Sequence, residues 1–205
     1  MKDSLFITLE GIDGSGKSVL AKGLHSQLEQ RGGRVVCTRE PTDSWLGEAV
    51  KRCYSEEIDI LSETMLFVAD RAQHAREIRN WMGRGKIVIS DRYHDSTVAY
   101  QTVRLASRVP DGEDGAFRRL VSLGELVGLV PDLTILLDIS PKTALKRIGT
   151  RGEESSRFER LDYLEGVRKN YLRLASENPR IAVIDASLPP DDVLKQARDL
   201  ILVRL

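Results

Sequence analysis

The chain has 205 residues, 41% of them apolar, which is enough to bury the core of one domain. Its 31 lysines and arginines balance its 31 aspartates and glutamates. That excludes a bulk polyanion such as a nucleic acid as the main partner and leaves any phosphate recognition local. The first apolar run, LFITLEG, is broken by Glu10 and so lacks the core of a signal peptide. No stretch of about 18 apolar residues offers a membrane span. A single cytoplasmic domain over residues 1–205 is expected. Cys37 and Cys53 are spaced for neither a zinc site nor a redox pair, and read as buried reduced thiols.

Taken in order, five short apolar runs read as strands: LFIT (5–8), RVVCT (34–38), KIVIS (86–90), LTILLDI (133–139) and RIAVID (180–185). They are mostly rich in β-branched residues, as strands buried on both faces tend to be. Helical stretches lie between them. From 61 to 82, Leu61, Met65, Val68, Ala69, Ala72 and Ala75 recur at three and four, which predicts a core-facing stripe. Strands alternating with helices imply an α/β fold, a parallel sheet covered on both sides in three layers. LASRVPDGEDG (105–115) reads as a loop between two helices. GTRGEESS (149–156), flanked by Arg147 and Arg157, reads as a flap, with a lid over about 147–158.

The first strand runs into GIDGSGKS: Gly11, Ile12, Asp13, Gly14, Ser15, Gly16, Lys17 and Ser18. This matches GxxxxGK[ST] in full, and a helix marked by Leu20, Ala21, Leu24 and Leu28 follows. Such a loop turns backbone N–H groups around phosphate oxygens, and the helix adds its positive end. Lys17 then reaches the β- and γ-phosphates of a nucleotide, and Ser18 supplies a hydroxyl to Mg2+. The loop does not name a reaction. The base-selecting NKxD of GTPases and the LSGGQ of transporter ATPases are both missing.

An acceptor site is read elsewhere. KIVISDRY ends a strand with Asp91 and Arg92, and ligands of parallel sheets lie beyond the carboxyl ends of the strands. Asp91 suits magnesium or its waters; Arg92 suits a second, acceptor phosphate. Phe67 and Arg71, four apart on a helix, share a side about 100° from the apolar stripe. An aromatic plane beside a guanidinium fits a single splayed base, although Phe67 taken alone reads more readily as core packing.

These motifs together resemble the thymidylate kinases. EGIDGSGKS, TREP (38–41), LFVADRAQH (66–74), DRYHDSTVAYQ (91–101), PDLTILLD (131–138), RGEESSRFER (151–160) and VIDAS (183–187) fall in that family's order over nearly the whole chain. The resemblance implies a five-stranded sheet of order 2-3-1-4-5, transfer of the γ-phosphoryl of MgATP to dTMP, and a homodimer formed through helices beside the sheet. It implies that Asp13 faces the deoxyribose 3′-hydroxyl and that Glu40 lies near the acceptor phosphate and its metal environment. By the same resemblance Phe67 stacks on thymine, Arg71 bonds a base oxygen, Arg92 holds the acceptor phosphate, and Thr97, Tyr100 and Gln101 line the base and sugar pocket. Lys51 falls where the family often has a basic residue near the monophosphate.

Several positions depart from the family's pattern. Gly14 and Ser15 stand where some members carry a basic residue, so transition-state charge is expected from the lid arginines, Arg151 or Arg157. Thr42, Asp43 and Ser44 follow TREP in place of GGT, and Ser156 replaces the usual Asp before Arg157. His25, His74 and His94 read as surface or packing histidines, because a phosphate acceptor with a second pKa of about 6 demands no general base. A kinase for another nucleoside monophosphate, and a non-catalytic nucleotide-dependent regulator, are the rival readings. Ser18 and Val19 after GK count against an adenylate kinase, which usually has GKGT.

Overall fold

The computed structural model of the protein describes residues 4–150 and 161–205. Five parallel strands form one sheet, β1 (Leu5–Glu10), β2 (Val35–Arg39), β3 (Ile87–Asp91), β4 (Leu133–Asp138) and β5 (Ile181–Asp185), in the order 2-3-1-4-5. Each strand falls on one of the five apolar runs. β1, β3 and β4 are buried nearly throughout, as central strands covered on both faces must be. The edge strands β2 and β5 are more open, and Cys37 on β2 is exposed; only Cys53 is buried. Both cysteines are free thiols.

The helices are α1 (Lys17–Glu29), α2 (Trp45–Arg52), α3 (Ile60–Met82), α4 (His94–Leu105), α5 (Gly112–Glu125), α6 (Pro141–Thr150), α7 (Leu161–Glu177) and α8 (Pro190–Leu202). α1 packs with α8, whereas α4 lies between α3 and α7. Alternation along β1 serves the two layers differently. Leu5, Ile7 and Leu9 join the main apolar core with Leu20, Leu24 and Leu28 of α1. Phe6 meets Tyr93 edge-on at 5.0 Å, Thr8 pairs with Thr134 at 2.7 Å, and Glu10 reaches α4 and α7. One face of the central strand is thus a polar column that leads to the site.

Two expectations about helices are corrected. The 105–115 loop is shorter than predicted: a 3-10 turn occupies Ala106–Arg108, and α5 begins at Gly112. On α3 the predicted stripe is buried only at Ala75: Leu61 is 52% and Met65 44% exposed, Ala72 is also exposed, and Val68 and Ala69 are half-buried. The buried side instead carries Glu63, Thr64, Asp70, Arg71 and His74 along with Ile60, Ala75 and Ile78. Burying those polar groups is tolerable because they are paired. Glu63 binds Arg104 at 2.8 Å, Asp70 accepts from the N–H of Thr42 at 2.8 Å, and Arg71 and His74 share Glu40. Gly149 and Thr150, read as flap, lie inside α6. The rest of the flap lies outside the described residues.

Candidate active site

The loop between β1 and α1 is built by close approach as much as by flexibility. A Cβ on Gly14 would lie 2.6 Å from the carbonyl oxygen of Ala144 on α6, and the residue has φ +84°. Gly16, with φ 101°, caps α1 without a side-chain bond, and no acidic residue stands in the first turn. The first amides of a helix have no partner within it, so this end stays positive and open to an anion. Lys17 folds back and donates to the carbonyls of Gly11 and Ile12, both at 3.0 Å. Burial, with help from the nearby Arg92 charge, pulls its pKa down to about 8. The Ser18 hydroxyl donates to Asp91 at 2.7 Å, so the two predicted metal ligands meet.

Beside the loop opens a cavity of about 490 Å³, lined among others by Asp13, Glu40, Phe67, Arg71, Thr97 and Gln101. Lys17, Ser18, Asp91, Arg92 and Tyr100 line it as well. At its mouth Arg92 forms an ion pair with Asp13, and its guanidinium lies 5.0 Å from the centre of the Tyr100 ring. Burial pushes the Asp13 carboxyl up, but Arg92 and Lys17 outweigh it and leave the group below its ordinary range. Deeper in, Arg71 is 1% exposed. It donates to Glu40 at 2.9 Å, to the carbonyl of Tyr93 at 3.2 Å and to Thr97 at 2.9 Å. His74 holds the other oxygen of Glu40 at 2.9 Å. Two atoms of this wall, Nη1 of Arg71 and Oε1 of Gln101, are buried without a hydrogen-bond partner. Nε2 of Gln101 points to Glu63 at 3.5 Å.

Most of the predicted site residues line this cavity; Gly11, Ile12 and Ser15 of the loop lie behind its lining, and Lys51 stands apart from it. On α2 it pairs with Asp43 at 2.9 Å and Glu48 at 2.7 Å, outside the cavity lining. The residues after TREP hold this part of the chain in place, since Ser44 caps α2 and both Thr42 and Ser44 bond Asp70. Arg151 and Arg157 lie outside the described residues. Arg147 donates to the carbonyl of Ala186 at 2.9 Å. His94 is half-buried and its pKa falls to about 4, desolvation being the main cause; His25 sits beside Glu29 on the surface.

Sequence reasoning misses Glu10, Glu63, Ser96 and Tyr171. Glu10 is fully buried, and burial together with Asp95 pushes its carboxyl up to about 7. An acid inside a strand's apolar run is the one signal that could have found it.

The family model described as "Thymidylate kinase" matches residues 9–197. The chain belongs to the thymidylate kinase family. It is 44% identical to a probable thymidylate kinase of Methanosarcina barkeri, an alignment that covers 96% of this chain and 95% of the relative. Against a probable thymidylate kinase of Methanococcoides burtonii the identity is 47%, covering 90% and 89%. A thymidylate kinase of Desulfovibrio desulfuricans is 40% identical, covering 96% and 94%. Family membership fits a site with one phosphate cradle and one buried polar pocket.

Proposed function

We propose that this site phosphorylates dTMP to dTDP at the expense of ATP, the reaction for which its family is named. The observation that carries the reading is the pair of unpartnered atoms in the pocket wall, a donor on Arg71 and an acceptor on Gln101. Thymine presents O4, an acceptor, beside N3–H, a donor. Cytosine reverses both. Phe67, half-buried in the lining, supplies the stacking plane.

The Asp13–Arg92 pair supports a simple exchange on binding. The 5′-phosphate of dTMP takes the place of Asp13 on Arg92, and the 3′-hydroxyl donates to Asp13 in return. An acceptor phosphate oxygen then forms a bond to the γ-phosphorus as the bond to the β,γ-bridging oxygen breaks, and ADP leaves. The acceptor is already largely ionised, so alignment and charge neutralisation carry the rate. Lys17, the end of α1 and Arg92 supply positive charge. A lid arginine, Arg151 or Arg157, adds to it; such a cation is worth roughly 10³ to 10⁵ in rate.

The Ser18 hydroxyl and Asp91 carboxylate are hard oxygen donors 2.7 Å apart and fit Mg2+, which keeps several waters and few protein ligands. Ser18 and Asp91 would hold it there, where it would supply positive charge against the ATP phosphates. Glu40 acts on the acceptor side by fixing Arg71. Two free cysteines and an ATP substrate support a cytoplasmic location, and no helix among the described residues is long and apolar enough to cross a membrane. The exposed Leu61 and Met65 of α3 support a homodimer in which a second copy covers them.

Calorimetric titration with dTMP, dUMP and dCMP tests the base reading. Loss of one methyl should weaken binding by about 10- to 200-fold for dUMP, whereas dCMP, facing donor with donor, should fall further. Equal binding of dCMP and dTMP would contradict it.

A further inference from the structure

We propose that Glu10 is a positioning residue for Arg92: its buried carboxylate fixes, through the hydroxyls of Ser96 and Tyr171, the direction in which the guanidinium meets the acceptor phosphate. The inference rests on Arg92 being the phosphate-binding group. Arg92 is one of two non-glycine residues with positive φ, at 72°, among the described residues. That backbone is held from both sides. The N–H of Arg92 donates to the carbonyl of Leu9 at 3.0 Å, and the N–H of Tyr93 donates to Oε1 of Glu10 at 2.7 Å.

The second carboxylate oxygen acts on the side chain, beside the bonds that Arg92 makes to the Gly11 carbonyl at 3.2 Å, to Asp13 and to the Tyr100 hydroxyl at 3.3 Å. Oε2 accepts from Ser96 at 2.6 Å and from Tyr171 at 3.0 Å. A hydroxyl has one proton and two lone pairs, so protons committed to the carboxylate leave lone pairs for other donors. Nη1 of Arg92 uses both, at 3.0 Å to Ser96 and 3.3 Å to Tyr171. The two hydroxyl oxygens are 2.8 Å apart, and an anion that draws both protons also keeps them from pairing with each other. An amide oxygen would serve the Tyr93 N–H equally well. What calls for an anion, at the cost of burying one, is acceptance of the two hydroxyl protons, so the arrangement is complete above pH 7, where the Glu10 carboxyl is mostly ionised, and the titrations that follow are run at pH 8 or above.

Glu10→Gln is therefore a sharp probe. Its amide oxygen can stay on Tyr93, which turns the NH₂ toward Ser96 and Tyr171 and drives their protons toward Arg92, donor against donor. Calorimetry with dTMP and thymidine, which differ only in the phosphate, separates this from general damage. Glu10→Gln is expected to weaken dTMP binding by about tenfold or more, while thymidine and ATP binding change less than about threefold. Ser96→Ala, which removes one arm and no charge, is expected to shift dTMP in the same direction and decides the matter where Glu10→Gln does not fold. Unchanged dTMP affinity in the folded variants, or equal loss of dTMP and thymidine, overturns the inference. Arg92→Ala in the same assay tells two failures apart. If it leaves dTMP binding intact, the reading of Arg92 falls and takes this inference with it; if it weakens dTMP while Glu10→Gln and Ser96→Ala do not, only the inference falls.

Discussion

At the scale of single residues, Lys17 and Phe67 carry opposite halves of the site. With its pKa drawn down to about 8, free Lys17 is mostly charged at pH 7 and mostly neutral at pH 9. Phosphates beside it favour the charged form and raise the pKa again. ATP binding should therefore take up almost no proton on this lysine at pH 7 and nearly one at pH 9, and affinity should fall as pH rises through 8. Calorimetry in buffers of different ionisation enthalpy reads this directly, and no uptake at pH 9 would contradict the assignment. Phe67→Ala should act on the other half. Loss of a stacking plane is worth about 1–3 kcal/mol per base, so the KM for dTMP should rise roughly 5- to 150-fold and that for ATP little. Equal changes in both constants would speak against stacking.

At the scale of elements, the loop after β1 is legible in the sequence because its constraint is local: glycine positions, a lysine and the start of α1 lie within eight residues. Even so, one constraint comes from α6. Gly14→Ala would set a methyl against the Ala144 carbonyl and hold a β-carbon at positive φ, a strain of roughly 1–3 kcal/mol. About tenfold weaker ATP binding with dTMP binding retained is the expected result, checked by separate titrations. α3 shows why periodicity alone misleads. Its apolar stripe is real, yet partners distant in sequence, such as Glu40, Thr42 and Arg104, satisfy its polar side and let that side turn inward. Lys51 departs from expectation for the opposite reason, because Asp43 and Glu48 beside it retain its ammonium.

At the scale of the whole molecule, the five strands are visible as five apolar runs, since strands in a sheet covered by helices are mostly apolar even where Thr8, Glu10 and Thr134 interrupt them. What joins their ends is not visible. Glu10 and Tyr171 meet although 161 positions separate them, because β1 lies next to β4 and α7 packs on β4. The same assembly leaves Leu61 and Met65 on the surface. If the proposed homodimer forms through this surface, Met65→Glu should reduce it to a monomer in sedimentation equilibrium; a dimer of unaltered mass would place the contact elsewhere, and a monomeric wild type would contradict the dimer itself. The central claim is most directly tested by following ADP formation with MgATP and each nucleoside monophosphate in turn. The account predicts acceptor-dependent turnover that is fastest with dTMP, slower with dUMP and lost in Lys17→Ala; ADP formation that ignores the acceptor, or another monophosphate outpacing dTMP, would contradict it.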